Sequence, residues 1–224
     1  MNESIVKYVS VALAWSAYFA LHSMMISITV TEYLKRELQD RFRFYRLFFN
    51  VVALVALVPL LVYSGRVVEA PFFAWDGYLA VAKWSLFAGG ILLFAAGSRH
   101  YSFSRFIGVR QLREGARHGL MNGTGKLDSG GILGFIRHPY YSGVILLFWS
   151  GDLGATRLVI NSVVTVYIVI GTRLEERKLI LEFGEHYWEY QARVSMFVPW
   201  KRIKSLLGLW WSGALKPYRR RGIQ

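Results

Sequence analysis

A chain of 224 residues that is 54% hydrophobic and 16% aromatic, with a mean hydropathy of +0.32, is too apolar for an ordinary soluble domain and reads as an integral membrane protein. Its net charge of +13 comes from 27 Lys and Arg residues lying between apolar runs, which points to an anionic membrane surface and away from nucleic acid. The absence of cysteine excludes disulfides, thiolate nucleophiles, Cys-ligated zinc and iron–sulfur clusters.

Ile5 to Thr31 carries Lys7 as its only charge and is predicted to be a first crossing helix. Its roughly 25 apolar-rich residues suffice for about 30 Å of hydrocarbon. A cleaved signal peptide is shorter, with a basic start and a small-residue cleavage site, so this helix is expected to be retained. Leu47 to Gly65 is uncharged and contains Pro59, tolerable inside a membrane helix when neighbours satisfy the freed carbonyl. Gly77 to Ser98 has one charge, Lys83, near enough to an end to snorkel. After a long polar stretch, His138 to Thr172 is apolar but interrupted by "GDLGATR". Each half is short for a full crossing, so a tight helical hairpin is expected, giving about five membrane segments in an all-α bundle.

Basic residues cluster after the first segment (Lys35, Arg36, Arg41, Arg43, Arg46) and after the third (from Arg99 to Arg137). The positive-inside rule puts these loops and the basic C-terminus in the cytoplasm, with the N-terminus outside an inner or plasma membrane. From Arg173, Leu174, Leu179, Phe183, Tyr187 and Tyr190 recur at helical steps, predicting a cytoplasmic C-terminal helix that Val198-Pro199 ends. The tail mixes Trp210 and Trp211 with Lys201, Arg202, Lys204 and Arg219 to Arg221, the pattern of an interfacial anchor. No repeat or low-complexity tract divides the chain. It reads as one domain, 1–224, with three N-terminal segments (1–98), a polar core (99–200) and the basic aromatic tail (201–224).

Two polar sets stand out. "RHPYYSG", Arg137 to Gly143, opens the hairpin, and Glu175-Glu176 lie just past its end. If the two halves pair, both sets return to one membrane face and form one site. The plainer alternative is that Arg137 anchors the chain at the headgroups and the glutamates cap a solvated helix start. His22, well along the first segment, is open between three roles: a neutral imidazole bonded between helices, an acceptor-binding or proton-removing group, and a haem or metal ligand. "NGTGKLDSGG" is no phosphate loop, because Leu120 stands at the first glycine position and Leu127 follows the lysine. No His-Glu-x-x-His spacing is present, and no metal site is expected.

"LDSGGILGFIRHPYYSG" followed by "RLEERKLILEFGEHYWEYQARVSMFVP" resembles the paired signature of the isoprenylcysteine carboxyl methyltransferase and phospholipid methyltransferase superfamily. The match runs from Gly131 to Pro199. Shorter stretches, "LHS", "YRLFFN", "GVRQL" and "LLFWS", are similar to the bacterial branch that includes methanethiol S-methyltransferase and, more distantly, zeta-carotene isomerase. The resemblance implies methyl transfer from S-adenosylmethionine to a lipophilic or small membrane-partitioned acceptor: a thiol, a carboxylate or a lipid head group. It puts cofactor contacts on Gln111, Lys126, Leu127, Leu133, His138, Pro139, Tyr140, Tyr141 and Glu175; beside it, His22 and Arg173 stand as candidate acceptor-binding residues. His138 and Glu175 are expected to orient the cofactor; no catalytic residue is assigned. Several relatives hold an acceptor carboxylate with an Arg four residues before the first Glu, where this chain has Gly171. The resemblance also admits a haem isomerase or an NADPH-dependent reductase of an isoprenoid or sterol-like substrate, against which the Glu-Glu pair speaks.

Overall fold

The structure, a computed structural model, describes residues 3–100, 107–114 and 127–208. Those residues are helical apart from turns and two isolated bridges. The elements are α1 (Glu3–Met25), α2 (Ile28–Leu38), a 3-10 turn (Gln39–Phe44), α3 (Tyr45–Val67), α4 (Leu79–Ser98), α5 (Val109–Glu114), a second 3-10 turn (Gly131–Gly134), α6 (Pro139–Trp149), α7 (Ala155–Phe183), α8 (Glu185–Arg193) and α9 (Trp200–Leu206).

Among the described residues four helical stretches are long and apolar enough to cross a membrane: Glu3–Met25, Ile28–Val67, Leu79–Ser98 and Ala155–Phe183. The expected fourth segment is α6, and its 11 residues rise only about 17 Å, roughly half of a hydrocarbon core. Two boundaries also differ from the expectation. The first segment stops at Met25 because Ser27 caps a new helix, its Oγ accepting the Val30 N–H at 3.3 Å. The C-terminal helix does not begin at Arg173; α7 continues to Phe183 and breaks at Gly184, whose φ of +58° lies in the left-handed region that favours glycine.

The core lies between α1, α3 and α7, where Val11, Trp15, Leu60, Ile160, Val164 and Ile168 pack together. Several polar groups among these helices find partners within the bundle, as an apolar solvent requires. Trp15 Nε1 donates to Ser64 Oγ at 3.0 Å, Asn161 Nδ2 to the Phe148 carbonyl at 3.0 Å, and Trp149 Nε1 to Thr165 Oγ1 at 3.0 Å. The last two bonds join the arms of the expected hairpin, α6 and α7.

Helix α6 packs on α4 through glycines, the small-residue device of membrane helices. A Cβ on Gly143 would stand 2.9 Å from the Phe94 ring and 3.0 Å from the Gly90 carbonyl oxygen. Gly143→Ala is therefore expected to cost about 1–3 kcal/mol by overpacking. Thermal unfolding in detergent checks this, and a change at the open Gly65, where a Cβ meets nothing within 4 Å, serves as the control.

At the end of the bundle away from Arg137, the α3–α4 loop is stapled to the hairpin turn. Phe73 and Leu153 exchange backbone hydrogen bonds at 3.1 and 2.8 Å. Asp152 accepts from Lys83 Nζ at 3.0 Å and from the Trp75 N–H at 3.1 Å. Glu69 caps α7 from outside its own sequence neighbourhood, accepting the Thr156 N–H at 3.0 Å and its hydroxyl at 2.6 Å, with Lys7 Nζ at 3.3 Å. Burial opposes ionisation of Glu69, but the Thr156 bonds and Lys7 outweigh it and hold its carboxyl down at about 2. A depressed folded pKa stabilises above the unfolded value of about 4.3 and is lost as pH falls towards the folded one. Wild type is thus expected to lose about 1 kcal/mol more than Glu69→Gln between pH 5 and pH 2, after allowance for solvent screening; melting curves across that range check it.

Candidate active site

The doorway "RHPYYSG" is held by backbone before its side chains act. Ile136 to His138 runs beside Ser195 to Phe197: the Arg137 N–H donates to the Ser195 carbonyl at 2.9 Å and the His138 N–H to the Met196 carbonyl at 3.1 Å. Ser142 Oγ adds a bond to the Phe197 carbonyl at 2.8 Å. Pro139 then starts α6, where its fixed φ and missing N–H cost nothing.

The two polar sets meet, as the hairpin predicts. Glu176 is the hub: Oε1 accepts from Arg137 Nε at 2.6 Å, lies 3.0 Å from His138 Nε2 and takes a longer bond from the Tyr187 hydroxyl at 3.4 Å. Its Oε2 accepts from Gln191 Nε2 at 2.8 Å. Arg137 Nη1 also donates to the carbonyls of Gln191 and Val194. The ion pair is buried, with 7% exposure of each side chain, and both partners make further hydrogen bonds, which favours the persistence of a buried pair.

Glu175 has a different setting. One residue earlier on α7, it turns about 100° away from Glu176 and reaches the wall of a narrow cavity. Its Oε2 accepts from the Tyr141 hydroxyl at 2.8 Å and lies 3.9 Å from His138 Nδ1. The His138 and Tyr141 rings stack, with centroids 5.6 Å apart and planes at 14°. Thus His138 is fixed by Glu176 through Nε2 while its other nitrogen faces Glu175.

The rest of the wall combines Arg137 with apolar and aromatic side chains: Leu127, Leu133, Leu179, Phe183, Tyr187 and Tyr190. Tyr190 donates to the Leu133 carbonyl at 2.6 Å, tying α8 to the 3-10 turn. Burial, with Glu176 beside it, pushes the Tyr187 phenol well up, and burial does the same to Tyr190. Both remain neutral O–H donors at any working pH and are unsuited to act as phenolate bases. At the rim, Asp128 accepts the Gly130 N–H at 2.9 Å and lies 2.9 Å from His100 Nδ1. Those two contacts, the backbone one first, hold its carboxyl below the usual range. Gly131, at φ +50°, passes so close that a Cβ would stand 2.6 Å from His100 Nε2.

Of the residues expected from sequence, Leu127, Leu133, His138 and Glu175 line this cavity, and Tyr141 is bonded to Glu175. Pro139 and Tyr140 turn to α4, against Gly97 and Phe94. This departs from the expected cofactor-facing doorway and follows from helical geometry: when 138 and 141 face α7, the residues between them face elsewhere. Gln111 lies on α5 and does not line the cavity. Lys126 is outside the described residues. Arg173 is exposed and lines no described cavity; it stands about 200° around α7 from Glu175. His22 is half-buried and bonded through Nδ1 to the Tyr167 hydroxyl at 2.9 Å, eight residues and about 12 Å along α7 from Glu175. Sequence reasoning missed Leu179 and Phe183 as wall residues, although both follow Glu175 at steps of four. It also missed Asp128 and His100, whose pairing no local pattern signals.

The fold and site together define an apolar helical protein with a carboxylate, an imidazole and aromatic rings converging where a short helical hairpin meets its polar end. The comparisons bear out the resemblance read from sequence. The chain is similar to methanethiol S-methyltransferase 1 of Bradyrhizobium diazoefficiens, 48% identical over 69 residues, which are 30% of this chain and 24% of that protein. It is similar to the methanethiol S-methyltransferase of Pseudomonas sp. (strain GM41(2012)), 33% identical over 133 residues, 59% of this chain and 48% of the relative. Methanethiol S-methyltransferase 2 of Bradyrhizobium diazoefficiens is 31% identical over 154 residues, 66% of this chain and 58% of the relative. The chain therefore spans between about a quarter and three fifths of the length of these relatives. No family model matches it, and no solved structure matches it.

Proposed function

We propose that this protein is an integral membrane S-adenosylmethionine-dependent methyltransferase whose acceptor is a small, membrane-partitioned thiol. The observation that carries the reading is that His138 and Glu175, the latter held by Tyr141, line one cavity beside apolar and aromatic side chains, in a chain similar to methanethiol S-methyltransferases.

The residues fit such a cofactor. A cationic, partly aromatic molecule is matched by a carboxylate at the wall, by the Asp128 carboxylate at the rim, and by Leu133, Leu179 and Phe183 as apolar contacts. When bound, S-adenosylmethionine supplies a methyl group already activated on a positively charged sulfur. The protein's part is then alignment and exclusion of water. Glu175 offers its carboxylate to a positive charge, and Tyr141 fixes that carboxylate's rotamer. Glu176, bound by Arg137, His138 and Gln191, keeps the imidazole in one orientation.

The acceptor class follows from how the cations near the wall are used. A carboxylate acceptor calls for a free bidentate guanidinium, yet Arg137, which lines the cavity, is committed to Glu176 and to the carbonyls of Gln191 and Val194, and Arg173 is exposed and lines no described cavity. A thiol needs only an environment that favours its anion and a path from the apolar interior. The pair His22 and Tyr167, between α1 and α7, lies deeper along that path.

The test is to incubate the purified full chain with methyl-labelled S-adenosylmethionine and four acceptors: methanethiol, a longer alkylthiol, a prenylated cysteine and phosphatidylethanolamine. Label is expected in the thioethers. Label only in a carboxyl ester or a lipid amine overturns the acceptor class, and no transfer to any acceptor overturns the activity.

A further inference from the structure

A second and larger cavity, about 400 Å³, lies on the other side of Tyr190 between the 3-10 turn Gly131–Gly134, the end of α8 and α9. Its charged lining is entirely basic: Arg193, Lys201 and Arg202, joined by the hydroxyl-bearing Ser129 and Ser205. No carboxylate among the described residues lines it, and none of the three cations forms an ion pair with a described residue. Lys201 is held in place, its Nζ donating to the carbonyls of Gln191 and Ala192 at the end of α8. The Arg202 guanidinium rests over the Phe135 ring at 5.5 Å.

Helix α9 divides its residues between two faces. Lys201, Arg202 and Ser205 turn to the cavity. Trp200, Ile203 and, just past the helix, Leu207 lie on the opposite side, 57%, 37% and 64% exposed, with Lys204 Nζ over the Trp200 ring at 5.3 Å, and Val198 and Leu206 beside them are 61% and 74% exposed. Three cations with hydroxyl donors suit a phosphate group. The exposed apolar side chains beside them, with Lys204 over Trp200, suit the interfacial region of a membrane, which a free ion does not require. From this charge complementarity and its apolar border we infer that the cavity is a binding site for the phosphate of an anionic phospholipid, with α9 lying in the membrane interface.

The site adjoins the candidate active site through two residues. Tyr190 lines both cavities. The Gln191 carbonyl takes bonds from Lys201 on one side and Arg137 on the other, while its side chain bonds Glu176. An occupied headgroup site therefore braces the end of α8 against the Glu176 hub.

The experiment counts tightly bound phosphatidylglycerol by native mass spectrometry on the full chain released from phosphatidylcholine membranes containing phosphatidylglycerol. Arg193→Gln/Arg202→Gln removes two cations without touching the Lys201 bonds, and Lys35→Gln/Arg36→Gln removes two elsewhere. The first variant is expected to bind phosphatidylglycerol at least tenfold more weakly while the second binds like wild type. Equal loss in both variants, which indicates bulk charge, overturns the site, as does unchanged binding in the first. Displacement of the lipid by millimolar inorganic phosphate overturns the lipid as occupant in favour of a soluble anion.

Discussion

Replacing Arg137 with methionine is expected to destabilise the protein by about 3–5 kcal/mol, the cost of leaving a buried carboxylate without its partner. Glu176 would keep His138 and Gln191 but lose its shortest bond, at 2.6 Å, and the carbonyls of Gln191 and Val194 would lose the same guanidinium. The loss falls where α6, α7 and the end of α8 meet, so a large drop in unfolding temperature in detergent is expected. Adding Glu176→Gln removes the orphaned charge and is expected to recover part of the stability. A change below about 0.5 kcal/mol in Arg137→Met alone, typical of exposed ion pairs, would mean that this cluster does not clamp the hairpin.

Glu175→Gln is expected to do the opposite: little to stability and much to ligand binding. Glutamine still accepts from the Tyr141 hydroxyl, and no buried charge is left unpaired, so unfolding should stay within about 1 kcal/mol of wild type. The carboxylate that faces the cavity is gone, however. Affinity for S-adenosylmethionine should fall at least tenfold, about 1.4 kcal/mol or more. The contrast between neighbouring glutamates is the sharpest consequence of the geometry, because it assigns Glu176 to the scaffold and Glu175 to the ligand. If Glu175→Gln unfolds early and binds normally, the two assignments are reversed.

Much of this was legible in the sequence because membrane helices carry their signal in composition. The uncharged run Leu47 to Gly65 and the Gly77–Ser98 run return, to within two residues at each end, as α3 and α4. The hairpin was legible from "GDLGATR", and with it the meeting of Arg137 and His138 with the glutamates. What the sequence hid is long-range or angular. Glu69 caps a helix that starts 86 residues later, and nothing near either residue announces it. Tyr140 lies within the most conspicuous motif and yet faces α4, because motif membership says nothing about helical phase. The break after α7 needed a left-handed backbone at Gly184, which a run of helix-compatible residues on both sides disguises.

The central claim is that the cavity beside Glu175 and His138 takes S-adenosylmethionine. Calorimetric titration of the purified full chain with S-adenosylmethionine and, separately, with NADPH tests it most directly. Saturable binding of S-adenosylmethionine, weakened at least tenfold in His138→Ala and Glu175→Gln, and no binding of NADPH, is the expected result. Binding of NADPH in place of S-adenosylmethionine, or affinity for S-adenosylmethionine unchanged in both variants, would contradict it.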